Sequence, residues 1–403
     1  MVRIPAEIFG QVASLLARGD LASLSRVSPA SLGESNRLLY HDVDFSTLPV
    51  DFLGRDPASR RTSDRPIDTF FTTISTSPAH AILVKSFAFR LPYQPAEGVD
   101  PQNALQAMTN LRRLTVVSVL SKDIFPSFLH GCTTELRELD VGLPLNKDLF
   151  TFLSRRSKIH QVTIGKEKMA CGMGTDSHRN LFLGRENFLP GLTKLRTIEG
   201  AVPLALLCPS LTELDVVISE RQDFSLVLDV LSLVGKHLTR LRCQRSLYYG
   251  GDAIVQHLPS LAEATPNLQV LDILEHFCGG WGNSPCVQVK KSPKCNGLVD
   301  SPSILLAQYL SDSETLVLDG KWEKLRTINW TSHMSCHDHL VYWKGASLCD
   351  RVFESLPSLV GLKYTEQSLL EVNSSVTFSY QRVEPAGIEW KEVLRGAQTL
   401  QIP

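Results

Sequence analysis

A six-residue pattern, apolar-x-x-apolar-x-apolar, returns along most of this chain and limits what it can fold into. It appears as Leu111-Arg112-Arg113-Leu114-Thr115-Val116, Leu136-Arg137-Glu138-Leu139-Asp140-Val141 and Ile159-His160-Gln161-Val162-Thr163-Ile164. Further copies are expected from Leu195 (with Ile198 as its second apolar position), Leu211, Leu238, Leu268, Leu325 and Leu359, and Val84 opens an alternating run to Phe89. The last two apolar positions of a copy are two residues apart, which is the spacing of side chains on one face of a strand. Leu139 and Val141 are therefore expected inward, with Glu138 and Asp140 outward. Stretches of helical spacing, such as Lys147 to Ser154, lie between copies. The early copies start 27, 25 and 23 residues apart. A unit of that size leaves an apolar side open until its neighbour covers it. The expectation is an α/β fold, a curved parallel sheet with outer helices stacked as an irregular solenoid. An ordinary α/β domain with similar βα alternation is the alternative.

The repeats resemble leucine-rich repeats in a degenerate form, since the asparagine or cysteine that closes the usual repeat is mostly absent. Ahead of them, Ile8, Phe9, Val12, Leu15 and Leu16 share one face of a helical period, with Pro5 suited to its first turn and Gly19 to its end. Asp20 is suited to cap a second short helix carrying Leu21, Leu24 and Val27, and Ser28-Pro29 starts a third that runs to about Leu39. Three short helices bury too small a fraction of their surface to be more than marginal alone.

The series Ile4-Pro5-x-Glu7-Ile8-Phe9-x-x-Val12-x-x-Leu15-Leu16, then Asp20-Leu21-x-x-Leu24-Ser25-Arg26-Val27-Ser28, then Leu39-Tyr40-x-x-Val43, resembles an F-box of the type common in fungal proteins. Ile4 stands where a leucine is usual, and Tyr40 where a tryptophan often does. The resemblance implies binding to the Skp-type adaptor of a cullin-RING ubiquitin ligase, through Ile4, Pro5, Ile8, Phe9, Leu15, Leu16, Leu21, Leu24 and Val27. It implies in turn that the repeats hold an unidentified protein substrate for ubiquitination. The alternative is a repeat scaffold unrelated to ubiquitin, whose N-terminal helices cap the first repeat.

With 41 Lys and Arg against 42 Asp and Glu, the chain has no excess of positive charge to hold a phosphate backbone, so nucleic acid is not an expected partner. No window offers eighteen apolar residues in a row and no signal-peptide pattern opens the chain, so no membrane role is expected. Nine scattered cysteines fit free thiols of a reducing compartment, cytoplasm or nucleus, better than a disulfide framework.

The expected division is a helical element at 1–45, a polar linker at 46–66, repeats at 67–366 with insertions at 276–300 and 331–349, and a C-terminal cap at 367–403. In the cap, Val376 to Val383 alternates as a strand, while Ile388, Val393 and Leu394 suit a final helix. The insertions carry Trp281 and Trp343, which are either plugs against the repeats or anchors for the substrate. His333-x-x-Cys336-His337-x-His339 has metal-ligand residue types, as do Cys278, Cys286 and Cys295 nearby. No C-x-x-C pair accompanies them, so no metal site is expected from spacing. No phosphate-cradling loop or nucleophile elbow appears, and neither a cofactor nor intrinsic catalysis is expected.

Overall fold

A computed structural model of the chain describes residues 6–47, 57–91, 93–118, 125–132, 135–165, 188–218, 224–247, 254–277, 322–334, 356, 358–368, 375–383 and 387–396. The chain divides into two compact units, residues 1–169 with 176–192, and residues 170–175 with 193–403.

In the first unit, helices α1 (Ala6–Ser14), α2 (Arg18–Leu24) and α3 (Pro29–His41) lead into strand β1 (Asp42–Asp44). Helices α4 (Pro57–Thr76) and α5 (Pro78–Ala81) precede β2 (Ser86–Arg90), and α6 (Pro101–Ala107) precedes β3 (Arg113–Val117). Strand β4 (Glu138–Val141), helix α7 (Lys147–Ser154) and β5 (Gln161–Ile164) follow. Consecutive strands pair in parallel, with Val43 opposite Phe87, Phe87 opposite Leu114, Leu114 opposite Leu139 and Leu139 opposite Val162. These five side chains are buried, as are Val116, Val141 and Ile164 in the next inward row. The repeated pattern is thus a register signal, because its second and third apolar positions line up across neighbouring strands.

Local chemistry explains the connections. Asn146 caps α7, its Oδ1 accepting from the Leu149 N–H at 2.8 Å, and buries Leu149, Phe150, Phe152 and Leu153. Helix α4 lays Ile67, Phe70, Phe71 and Ile74 on the sheet, where Phe70 stacks on Phe87 with centroids 5.3 Å apart. Tyr93 donates to Asp68 Oδ1 at 2.6 Å, tying the same helix to the segment after β2.

The second unit repeats the scheme with β6 (Lys194–Ile198), β7 (Glu213–Ile218), β8 (Arg240–Leu247), β9 (Val270–Phe277), β10 (Thr327–Met334) and β11 (Gly361–Ser368), all parallel to their neighbours. Leu195, Leu214, Leu241, Leu271, Ile328 and Leu362 form one register row, and all are buried. Strands β12 (Ser375–Val383) and β13 (Gly387–Gly396) then add antiparallel. The helices Ser225–Val234 and Leu258–Ala264 come so close that a Cβ on Gly235 would meet the Ala264 carbonyl oxygen at 2.2 Å, so only glycine fits there.

Several expectations are corrected. Helix α1 ends at Ser14, and Gly19 lies inside α2. Asp20 is in the first turn of α2 and not its cap, which is Ala17. Residues 57–66, expected as linker, belong to α4, whose first half continues from the anchored apolar half despite Pro66. The copy assigned to Leu195 starts three residues earlier, at buried Leu192, so that Leu195 is its second position and buried Thr197 its third. The final helix expected around Ile388 is strand β13. Among the described residues, no helix is long and apolar enough to cross a membrane.

Candidate functional site

The sequence of α1 carries large and small residues on different sides, and the structure uses the small ones to pack. Ala13 is buried, and a Cβ on Gly10 would meet Glu34 Oε1 of α3 at 2.9 Å, so α1 sits against its neighbour through side chains that fill little space. The large apolar residues turn the other way. Ile8, Val12 and Leu15, one stripe at helical spacing, are 49 %, 55 % and 86 % exposed. Val27, just past α2, is 73 % exposed, and Leu32 on α3 is also exposed. This reverses the usual amphipathic arrangement, in which the apolar stripe faces the core.

The helices beside this stripe, α2 and α3, are tied to each other and to β1. Ser28 and Ser31 form a reciprocal capping box at the start of α3, Ser31 N–H donating to Ser28 Oγ at 3.1 Å and Ser28 N–H to Ser31 Oγ at 3.2 Å. Ser31 Oγ also donates to the Leu24 carbonyl at 2.9 Å, which joins the end of α2 to α3. Arg18 donates to the Asp42 carbonyl, and Arg37 forks onto Glu34 at 2.6 and 2.8 Å. That contact holds the Glu34 carboxyl below its ordinary range. Leu21 is buried within the helices, whereas Phe9, Leu16 and Leu24 are half-buried at the margin of the exposed stripe. Ile4, Pro5, Trp281 and Trp343 lie outside the described residues. Val12 and Leu32 were not among the residues expected to dock; the exposure of Val12 goes with Gly10 and Ala13 taking the inward positions of α1.

The outward face of the strands is polar and paired. In the first unit Arg113 meets Glu138 at 2.6 Å across β3 and β4. In the second, Lys194 meets Glu213 at 3.4 Å and Arg196 meets Asp215 at 3.3 Å. Arg240 places Nε and Nη2 on Asp272 Oδ2 at 3.1 and 2.7 Å, and Asn329 donates to Asp272 Oδ1 at 2.7 Å. The register runs Arg196, Asp215, Arg242, Asp272, Asn329, Lys363 from strand to strand, so charges of opposite sign alternate over much of the row. A pair as exposed as Lys194–Glu213 contributes about 0.2–1 kcal/mol, whereas the carboxylates of Asp215 and Asp272 are largely buried.

The thiols Cys132, Cys208 and Cys243 are buried and free. Burial pushes the first two up to about 12 and raises the third further, which keeps them protonated and poorly nucleophilic. Among the described residues no group of three or more metal-ligand side chains occurs. The sequence matches no family model and no curated protein.

Proposed function

We propose that this chain is the substrate-recognition subunit of an SCF-type cullin-RING ubiquitin ligase, acting in cytoplasm or nucleus. In this reading α1 and α2 dock on the Skp-type adaptor, and the outward strand face holds a protein target so that its lysines meet a ubiquitin-loaded enzyme supplied by the complex. The chain itself makes and breaks no bond.

The observation that carries the reading is the exposed stripe Ile8, Val12 and Leu15 with Val27 beside it. Full burial of a large aliphatic side chain is worth about 1.5–3 kcal/mol, so a partner covering four of them gains several kcal/mol before ordering costs. The N-terminal residues in which the F-box resemblance lies are the ones that carry this stripe. A second reading, a scaffold whose N-terminal helices only cap the first repeat, draws on the pairing of β1 with β2. That pairing accounts for α3 and leaves the stripe on α1 unexplained.

The test is co-expression of the intact chain with a Skp-type adaptor. Wild type is expected to retain the adaptor, and Val12→Asp with Leu15→Asp to weaken retention at least tenfold while leaving far-UV circular dichroism and the urea midpoint unchanged. Equal retention by the variant, or none by wild type, overturns the proposal.

A further inference from the structure

In the first unit the residues that immediately precede the strands are linked by the backbone into one row. The Lys85 N–H donates to the His41 carbonyl at 3.0 Å, Arg112 to Lys85 at 2.8 Å, Arg137 to Arg112 at 2.8 Å and His160 to Arg137 at 2.9 Å. All five are basic residue types, one at the entry of each strand from β1 to β5. The second unit runs the same row of hydrogen bonds through Thr193, Thr212, Thr239, Gln269, Arg326 and Val360, with a single cation among them. The row therefore needs no particular side chain, and the basic run of the first unit is not a requirement of the fold.

Lys85, Arg112 and Arg137 are exposed, and the two histidines are half-buried. Burial first, and then the charges of Lys85 and Arg37, lower the His41 pKa, so the cations of the row are the lysine and the two arginines. Among the described residues none of these three is in an ion pair. Glu135, which feels the charges of Arg137 and Arg112, is held by Lys158 at 2.5 Å, and Glu138 by Arg113 at 2.6 Å. Exposed Asp42 is left against the three cations.

We infer that this rim binds an acidic peptide segment, extended across the entries of β1 to β5 with its carboxylates on Lys85, Arg112 and Arg137. Neighbouring strands are about 4.8 Å apart, so the five positions span about 19 Å. An extended segment with an acid at every second residue repeats its carboxylates about every 6.7 Å and covers that length with about four. Each arginine fork suits a carboxylate through two parallel hydrogen bonds. Three free cations are few for a nucleic-acid backbone, whose affinity grows with every phosphate neutralised, and Asp42, Glu135 and Glu138 would repel one. A peptide can set neutral or basic residues against those carboxylates, which a phosphate backbone cannot. The inference concerns the rim alone and does not rest on the ubiquitin reading, since a scaffold would hold such a segment equally.

The experiment titrates the intact chain, with no adaptor present, into a fluorescein-labelled octapeptide of alternating glutamate and serine, followed by fluorescence anisotropy. Wild type is expected to bind it, and raising sodium chloride from about 50 mM to about 300 mM to weaken binding at least tenfold, because exposed charges are screened. Arg112→Glu with Arg137→Glu is expected to weaken binding at least tenfold at the lower salt, with far-UV circular dichroism unchanged. Lys236→Glu with Arg326→Glu, the same change of charge on exposed positions of the second unit, is expected to leave it within twofold. Should the first pair disturb folding, Lys85→Gln with Arg112→Gln and Arg137→Gln removes the charges without adding any, and is expected to weaken binding tenfold. Absence of binding by wild type, equal losses in both charge-reversed pairs, wild-type binding in the glutamine variant, or binding indifferent to salt overturns the inference. So does equal binding of the matching lysine–serine octapeptide, or tighter binding of labelled decauridylate RNA, which would assign the rim to nucleic acid.

Discussion

The Tyr40 ring stacks on the imidazole of His80, with centroids 4.6 Å apart and planes 26° from parallel. Asn36 Nδ2 lies 3.3 Å from His80 Nε2, so one histidine on α5 receives two residues of α3. Together with Val43 in the sheet, this fixes the third N-terminal helix to the first strands. A stacked pair is worth about 0.5–1.5 kcal/mol and a hydrogen bond about as much. His80→Ala is therefore expected to lower stability by about 1–3 kcal/mol, read from urea denaturation by intrinsic fluorescence. An unchanged midpoint would mean that α3 is held by β1 alone.

Asp215 offers a prediction with a definite sign in pH. Its carboxyl is mostly buried between Arg196 and Arg242, and burial, the largest influence, raises its pKa above the ordinary carboxylate value against the pull of both arginines. The folded state then holds the proton more tightly than the unfolded state. Stability from this group is present in acid and is lost as pH rises from about 4 through the folded pKa. Measured against Asp215→Asn, wild type should lose stability across that window and stay level above it. A difference that grows in favour of wild type with rising pH would show that Arg196 dominates.

How much of this was legible depends on how strictly each stretch keeps its period. Leu114, Leu139, Val162, Leu241 and Leu271 announce their strands because each is the middle member of an apolar-x-x-apolar-x-apolar run, and the register places them in rows. The copy at Leu192 was shifted because Thr197 takes its third inward position, and a threonine there hides the pattern. Strand β13 was expected as a helix from Ile388, Val393 and Leu394, and the structure instead pairs it antiparallel with β12, Phe378 opposite Val393 and Tyr380 opposite Trp390, with the register shifted by one residue between those pairs. The exposed stripe of α1 was legible as a stripe. Which way it turned was not, since that rests on the fit of Gly10 and Ala13 against α3.

Arg156 is the last case, a buried cation that nothing in the repeat pattern requires. Its Nη1 donates to the Phe152 carbonyl and its Nη2 to the Cys132 carbonyl, both at 2.8 Å, while the guanidinium lies 3.6 Å from the centre of the Phe152 ring. It closes the C-terminal end of α7 and links that helix to the turn Ser127–Gly131 that precedes Cys132. Burial lowers its pKa from the ordinary arginine value, the cost of placing a cation there. The planar fork reaches two carbonyls in different directions, and a lysine ammonium cannot reproduce that geometry. Arg156→Met keeps the aliphatic volume and leaves both carbonyls without a donor, at a cost of about 1–3 kcal/mol for each buried group left unsatisfied. Arg156→Lys should fall between wild type and Arg156→Met in urea denaturation. If Arg156→Met were as stable as wild type, the desolvation of the guanidinium would cancel its two hydrogen bonds, and the residue would serve to fix the angle of α7 without adding to stability.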